Sequence, residues 1–374
     1  MYAYYFSLPE QILGSDTWAY FNESVLETDK LKHHPILFFA DFFYNQYNTI
    51  DDLFTGTKSF WNDLKTTVFV KFIAVLNLLS FKNYFINILF FNLIFLLGLV
   101  CLYKLINKHF VIHRIILVIA IFLMPSFLFW CSGIHKDGVV FSSICFILYQ
   151  FDKTLDKGFN LKSISKLLFA FLVLFLIRNY ILLLLCPILF SWFIAEKYKK
   201  HSFRIFSIVF LLCLSIFILS SSNSYTKIFS SSVVQKHHEF LKLEGNTKII
   251  TPHLTNTPSS LLNYLPFALK TVFLRPHLSE AKSISQYFAV LENYFILCLS
   301  ILSAFFITRN KLNSSILLCC FYTSILLFIF IGYTVCFNGA IVRYRSSIIP
   351  ITIIPYLLII FGKLKTQFPI EETS

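Results

Sequence analysis

Apolar runs of bilayer-crossing length recur along this 374-residue chain, and three of the breaks between them carry basic residues. In lipid every backbone polar group must be satisfied inside the segment, so such runs fold as helices. The first break is Trp130-Cys131-Ser132-Gly133-Ile134-His135-Lys136-Asp137-Gly138. The second is Ile177-Arg178-Asn179-Tyr180, and the third is Gly339-Ala340-Ile341-Val342-Arg343-Tyr344-Arg345. Ionisable groups at membrane depth are expensive, and they default to a functional-site hypothesis with a partner to be named.

Only 14% of the residues are charged, against roughly 25% in a soluble domain. The chain is 57% hydrophobic, so the expected fold class is all-α, a polytopic helical membrane protein. A net charge of +13 would suit a nucleic-acid binder, but many of the basic residues cluster in short loops between spans. That pattern is a topology signal, and no nucleic acid is expected as a partner. There is no GxGxxG and no P-loop, so no nucleotide-binding domain is visible. The cysteines are scattered, with no CxxC pair, and His33-His34 and His237-His238 lack metal-site spacing. No metal and no cofactor is expected.

The apolar runs give nine candidate spans, near 84–103, 115–131, 138–151, 165–178, 180–195, 204–221, 288–307, 313–335 and 347–361. Several fall below the ~20 residues of a straight crossing, which points to broken or re-entrant helices lining a wet cavity. Loops carrying Lys104, Lys108 and Arg114, then Lys153 to Lys166, then Lys197 to Arg204, then Arg309 and Lys311, then Lys363 and Lys365 alternate with the others. The positive-inside rule makes them cytoplasmic, and the three basic breaks become extracytoplasmic. Four regions result: an extracytoplasmic segment 1–83, a membrane bundle 84–221, an extracytoplasmic loop 222–287 and a second bundle 288–374. The stretch Val68–Leu79 has the pattern of an interfacial helix. Since 1–83 is placed outside with no apolar run ahead of it, either the chain inserts N-terminus out or an upstream span precedes Met1. The second reading is preferred and gives ten spans.

Asp16, in Gly14-Ser15-Asp16-Thr17-Trp18-Ala19-Tyr20, is the candidate catalytic base, with aromatic neighbours suited to sugar rings. A helix N-cap is the plainer reading of the same residue. Lys136, Arg178, Arg275, Arg343 and Arg345 are candidates for holding a phosphate, because guanidinium presents a planar fork to its oxygens. Against this, Lys136 could be compensated by its neighbour Asp137, and Arg178 could snorkel to a surface. If the third break is extended, Arg343 and Arg345 share a face with Tyr344 opposite. Lys136, Arg178, Arg343 and Arg345 are then expected to line one cavity. His135, Asp137, Glu280 and Glu292 are possible supporting groups, Glu292 as an arginine partner or a catalytic carboxylate.

At Gly14-Ser15-Asp16 with Tyr20, Ser132 to Asp137, Arg178-Asn179-Tyr180, Leu274-Arg275-Pro276 to Leu291-Glu292-Asn293 and Arg343-Tyr344-Arg345, the chain resembles polytopic bacterial envelope-polysaccharide enzymes. Two groups fit: GT-C type membrane glycosyltransferases and O-antigen or capsular polysaccharide polymerases. The resemblance implies a polyprenyl-phosphate-linked sugar or oligosaccharide as partner, alongside membrane lipid. It implies an acidic residue in the first extracytoplasmic loop, here Asp16, and phosphate-facing arginines at Arg178, Arg275, Arg343 and Arg345. The expected location is the bacterial inner membrane, with the site on the extracytoplasmic face. The alternative is a lipid-linked oligosaccharide flippase or another transporter, which also needs a basic cavity.

Overall fold

A computed structural model describes residues 16–42, 60–222, 227–245, 247–281 and 283–365. Gly14, Ser15 and the rest of 1–15 lie outside the described residues, as does 43–59. The described chain is helical. One short strand pair, β1 (Phe110–Val111) with β2 (Lys363–Leu364), is its only sheet.

Three helices precede the long spans: α1 (Asp16–His33), α2 (Pro35–Ala40) and α3 (Phe60–Ser80). Next come α4 (Tyr84–His109), α5 (Arg114–Phe122), α6 (Pro125–Cys131), α7 (Lys136–Lys157) and α8 (Leu161–Lys197). The second half has α9 (Ser202–Leu219), α10 (Lys227–Lys242), α11 (Pro258–Leu274), α12 (Ile284–Phe305) and α13 (Arg309–Leu312). It closes with α14 (Ser315–Thr334), α15 (Asn338–Ser346) and α16 (Ile349–Phe361). Among the described residues five helices are long and apolar enough to cross a membrane, or up to seven if each of two bent pairs is one span. The bent pairs are α5 with α6, at 47°, and α15 with α16, at 66°.

The chain reverses within α8. A straight helix would hold Phe159 and Phe193 about 50 Å apart at 1.5 Å per residue. Their rings instead lie 6.1 Å apart, and Trp192 meets Phe151 at 5.5 Å. The one non-helical residue inside α8 is Arg178, at φ −148° and ψ 81°. Two antiparallel halves therefore meet at Arg178, where the sequence places the break between two spans. The consequence is that Arg178 sits at the apex between the two halves.

The two ends of the bundle carry different chemistry. At one end Lys108 bonds Asp152 at 2.6 Å, and His109 Nε2 lies 2.8 Å from the other oxygen of Asp152. Lys365 N donates to the His109 carbonyl, and Lys311 reaches the Ile359 carbonyl. These contacts gather the basic loops together. At the other end Thr17 bonds Tyr84 at 2.7 Å and Trp18 stacks on Tyr84 at 4.3 Å, which ties α1 to the start of α4. The 20 helical steps from Asp137 to Lys157 in α7 set the ends about 30 Å apart. That is the thickness of a bilayer core.

α14 is the central element, with 83% of its apolar window buried inside the protein. Part of its packing falls in the stretch read from sequence as the loop 222–287. α10 and α11 lie there, and a Cβ on Gly332 would come within 2.3 Å of the Ala268 carbonyl oxygen. The backbones of α11 and α14 thus touch at a small residue, as packed membrane helices do. The Tyr333 hydroxyl closes the pair by donating to the Leu261 carbonyl at 2.6 Å. The expected interfacial piece Val68–Leu79 is part of α3. One face of it is buried, and Lys71 within that face bonds Glu27 and the Phe38 carbonyl at 2.5 and 2.6 Å.

The reversal makes a labelling prediction. Single reporter cysteines at Gly158 and Tyr198, in a background without the native cysteines, should react with an impermeant reagent from the same side of the membrane. One at Ile250 should react from the opposite side. Labelling of Gly158 and Tyr198 from opposite sides would remove the reversal at Arg178.

Candidate functional site

Three of the sequence breaks meet at one buried carboxylate. Asp137, in the first turn of α7, has no exposure. One of its oxygens accepts from Arg178 Nη2, and the other accepts from Arg343 Nε at 3.0 Å. Each guanidinium is also seated on an aromatic face. Arg178 lies 4.7 Å from the Tyr344 ring and donates to the Tyr180 hydroxyl at 3.2 Å. Arg343 lies 5.4 Å from the Trp130 ring. Stacking of this kind suits the planar, weakly hydrated guanidinium.

Asp16 is the first residue of α1, and its carboxylate accepts from Arg343 Nη1 at 2.6 Å. It is the accessible member of the cluster, with its side chain 49% exposed, whereas Asp137 is sealed. Lys136 forms no ion pair among the described residues and is not compensated by Asp137. Its ammonium lies 4.9 Å from the Tyr20 ring and 5.6 Å from the Phe69 ring. Burial, with Asp16 beside it, pushes the Tyr20 hydroxyl up to about 12, so Lys136 faces a neutral ring. Three cations against two carboxylates leave the cluster with one positive charge in excess.

His135 Nδ1 lies 3.3 Å from Arg343 Nη2, a fixed donor, so Nδ1 accepts and the proton resides on Nε2. That Nε2 is buried without a partner among the described residues. Burial, followed by the Arg343 charge, lowers the imidazole from its ordinary 6.5 to about 4. His135 is therefore neutral at physiological pH.

The remaining candidates lie elsewhere. The third break is helical, as α15, and not extended. Residues two apart on a helix point about 200° from one another, so Arg345 leaves the face of Arg343. Arg345 is buried and donates to the Val272 carbonyl at 2.8 Å and to Asn293 Oδ1 at 2.9 Å, fastening the end of α11 to α12. Arg275 pairs with Glu280 at 3.1 Å, and Glu280 also accepts from the His277 backbone N–H at 2.9 Å. Glu292 forms no ion pair among the described residues, although the Arg345 charge acts on it. It accepts from the Ser126 N–H at 2.8 Å and from the Ser126 hydroxyl, which ties α12 to α6. No group of His, Cys, Asp and Glu among the described residues could hold a metal.

Two cavities flank the cluster. One, of about 400 Å³, is walled by Trp130, Phe129, Phe288, Asn338 and Val342. The other, of about 470 Å³, is walled by Phe175, Leu183, Phe229, Phe330, Tyr180 and Tyr344, with Lys65 and Lys236. Lys236 is held by Glu239 at 2.7 Å. α15 is the partition, since Val342 faces the first cavity, Tyr344 the second, and Arg343 the carboxylates between them. The sequence reading gave no role to Trp130, Tyr344, Lys65 or Lys236. Tyr344 had a visible signal, an aromatic between two arginines. Lys65 and Lys236 had none, because Lys65 precedes the stretch read as an interfacial helix and Lys236 falls in the stretch read as the loop 222–287.

A search of family models, curated proteins and solved structures finds no match to this chain.

Two outcomes are expected of this geometry. Asp137→Ala leaves the Arg178 guanidinium buried without a counter-charge and Arg343 with Asp16 alone, a change that costs on the order of 3–5 kcal/mol. The thermal midpoint in detergent should fall accordingly, and an unchanged midpoint would rule out Asp137 as the centre of the cluster. For His135 the folded value is depressed, so its contribution to stability is complete above about 6.5 and is lost as pH falls toward about 4. The difference in midpoint between wild type and His135→Gln should therefore shrink across that window. A difference that is constant with pH would show that His135 does not titrate there.

Proposed function

We propose that the protein is a multi-pass inner-membrane enzyme of bacterial cell-surface polysaccharide synthesis, with its site on the extracytoplasmic face. It transfers a sugar or a polymer repeat from a polyprenyl-phosphate-linked donor. The observation that carries this reading is the half-exposed Asp16, bound to Arg343 between two cavities, beside a cluster with one unspent positive charge. The donor carries its own activation, in keeping with a sequence that has no nucleotide-binding motif.

In this reaction an acceptor hydroxyl oxygen bonds to the anomeric carbon of the donor sugar as the bond from that carbon to the phosphate oxygen breaks. Asp16 takes the hydroxyl proton. The phosphate leaves with the electron pair, and its developing charge falls beside Lys136, Arg178 and Arg343, which are already fixed in position. Asp137 positions both arginines and does not itself meet substrate. The cavity carrying Lys65 and Lys236, with apolar walls, suits the phosphate and the first isoprene units of the donor. Arg345 and Arg275 act as structural clamps in this scheme.

Asp16→Asn keeps size and one hydrogen bond to Arg343 but removes the proton acceptor. Loss of a positioned base typically costs about 10²–10⁴ in rate. Extracted lipids should then contain accumulated lipid-linked glycan, at normal membrane abundance of the variant, as in a gene deletion. Single unpolymerised repeats would mark a polymerase and a truncated repeat a transferase. Wild-type glycan output from Asp16→Asn would remove Asp16 as the base. A precursor that accumulates only on the cytoplasmic leaflet would favour the flippase.

A further inference from the structure

The two cavities differ in charge, and the difference selects their occupants. We infer that the cavity under Trp130 is a subsite for an uncharged pyranose ring, the acceptor end of the transfer. This rests on the reading given under Proposed function and adds the chemical class of the second substrate.

The cavity combines flat apolar surfaces with neutral polar groups. Trp130, Phe129 and Phe288 supply the former, Asn338 and Gln286 the latter. Its volume of about 400 Å³ lies in the range of small-molecule sites, roughly 300–1,000 Å³. A sugar ring offers the matching surface, with C–H faces above and below and hydroxyls at the rim. Asn338 Oδ1 is buried and has no hydrogen-bond partner among the described residues. A buried acceptor of this kind calls for a donor, and a ring hydroxyl supplies one.

Charge excludes the other common ligand classes. Among the described residues no lysine or arginine lines this cavity, whereas Lys65 and Lys236 line the other. The one ionised group in the wall is Glu280, already engaged by Arg275 at 3.1 Å. A phosphate or uronate would meet the Glu280 carboxylate, whose neighbouring cation Arg275 is already engaged with it. A lipid tail would leave Asn338 Oδ1 facing hydrocarbon.

Arg343 connects the subsite to the proposed base. Its guanidinium lies over the Trp130 ring and bonds Asp16 at 2.6 Å. Trp130 is thus shared between the wall of the cavity and the seat of the Arg343–Asp16 pair.

Saturation-transfer difference NMR on the whole protein in detergent micelles tests this, with the methyl glycosides of glucose, galactose, mannose, N-acetylglucosamine and glucuronic acid as probes. At least one neutral glycoside should receive saturation, and the glucuronide should not. Trp130→Ala should reduce the signal several-fold. Phe288→Ala should also reduce it, and because that side chain is 58% exposed the variant keeps the fold. Silence from every neutral glycoside, equal saturation of the glucuronide, or full signal in both variants would overturn the assignment. Native mass spectrometry of the same samples with undecaprenyl phosphate reads the donor separately. Loss of lipid binding in Lys136→Ala together with silent glycosides leaves the proposed function standing and removes the subsite. Glycoside binding without lipid binding does the reverse.

Discussion

A single carboxylate with no access to water organises this protein. Asp137 bonds arginines that lie 41 residues after it and 206 residues after it in the chain. Neither guanidinium could be buried there alone, since an unpaired charge at that depth costs several kcal/mol. Asp137 also lies in the first turn of α7, where the helix dipole favours a negative charge. The reversal of α8 at Arg178, the start of α7 and the placement of α15 are consequently one event. Each is stable because the other two are present. α14, held against α11 at Gly332, supplies the rigid post behind them.

The proposed chemistry depends on how the rest of the cluster is distributed around that centre. Asp137 is consumed by its arginines, which leaves the half-exposed Asp16 as the carboxylate that can meet a substrate. The two aromatic seats, Tyr344 under Arg178 and Trp130 under Arg343, belong to different cavities. A charge-stabilising pair is thereby shared between two compartments of different polarity. The transfer we propose, between a charged lipid and a neutral glycan, asks for that arrangement.

Much of this was readable from residue order, for a definite reason. Lipid forbids casual charges, so Lys136, Arg178 and Arg343 stand out against apolar runs as no surface lysine of a soluble domain would. The basic loops likewise foretold which ends of the helices gather together. What escaped was direction. Arg343 and Arg345 share a face in an extended segment but diverge in a helix, and nothing in the seven residues Gly339 to Arg345 decides between those states. Arg275, Glu280 and Glu292 looked like site residues because they are ionisable, yet each satisfies a nearby backbone or side-chain group. The 222–287 stretch read as loop because its helices α10 and α11 are too polar or too interrupted by proline to resemble spans. Their packing against α14 is tertiary and leaves no local pattern.

The partition helix α15 has a consequence for how such a protein can vary. Three successive residues address three compartments, because each step along a helix turns by about 100°. Side-chain exchange at Val342 or Tyr344 alters one compartment and leaves the other intact, so the two occupants can be retuned independently. A single inserted or deleted residue within Asn338–Ser346 would rotate Arg343 off both carboxylates at once. Relatives of this chain should therefore diverge freely in the identity of those neighbours while keeping the length of this helix invariant.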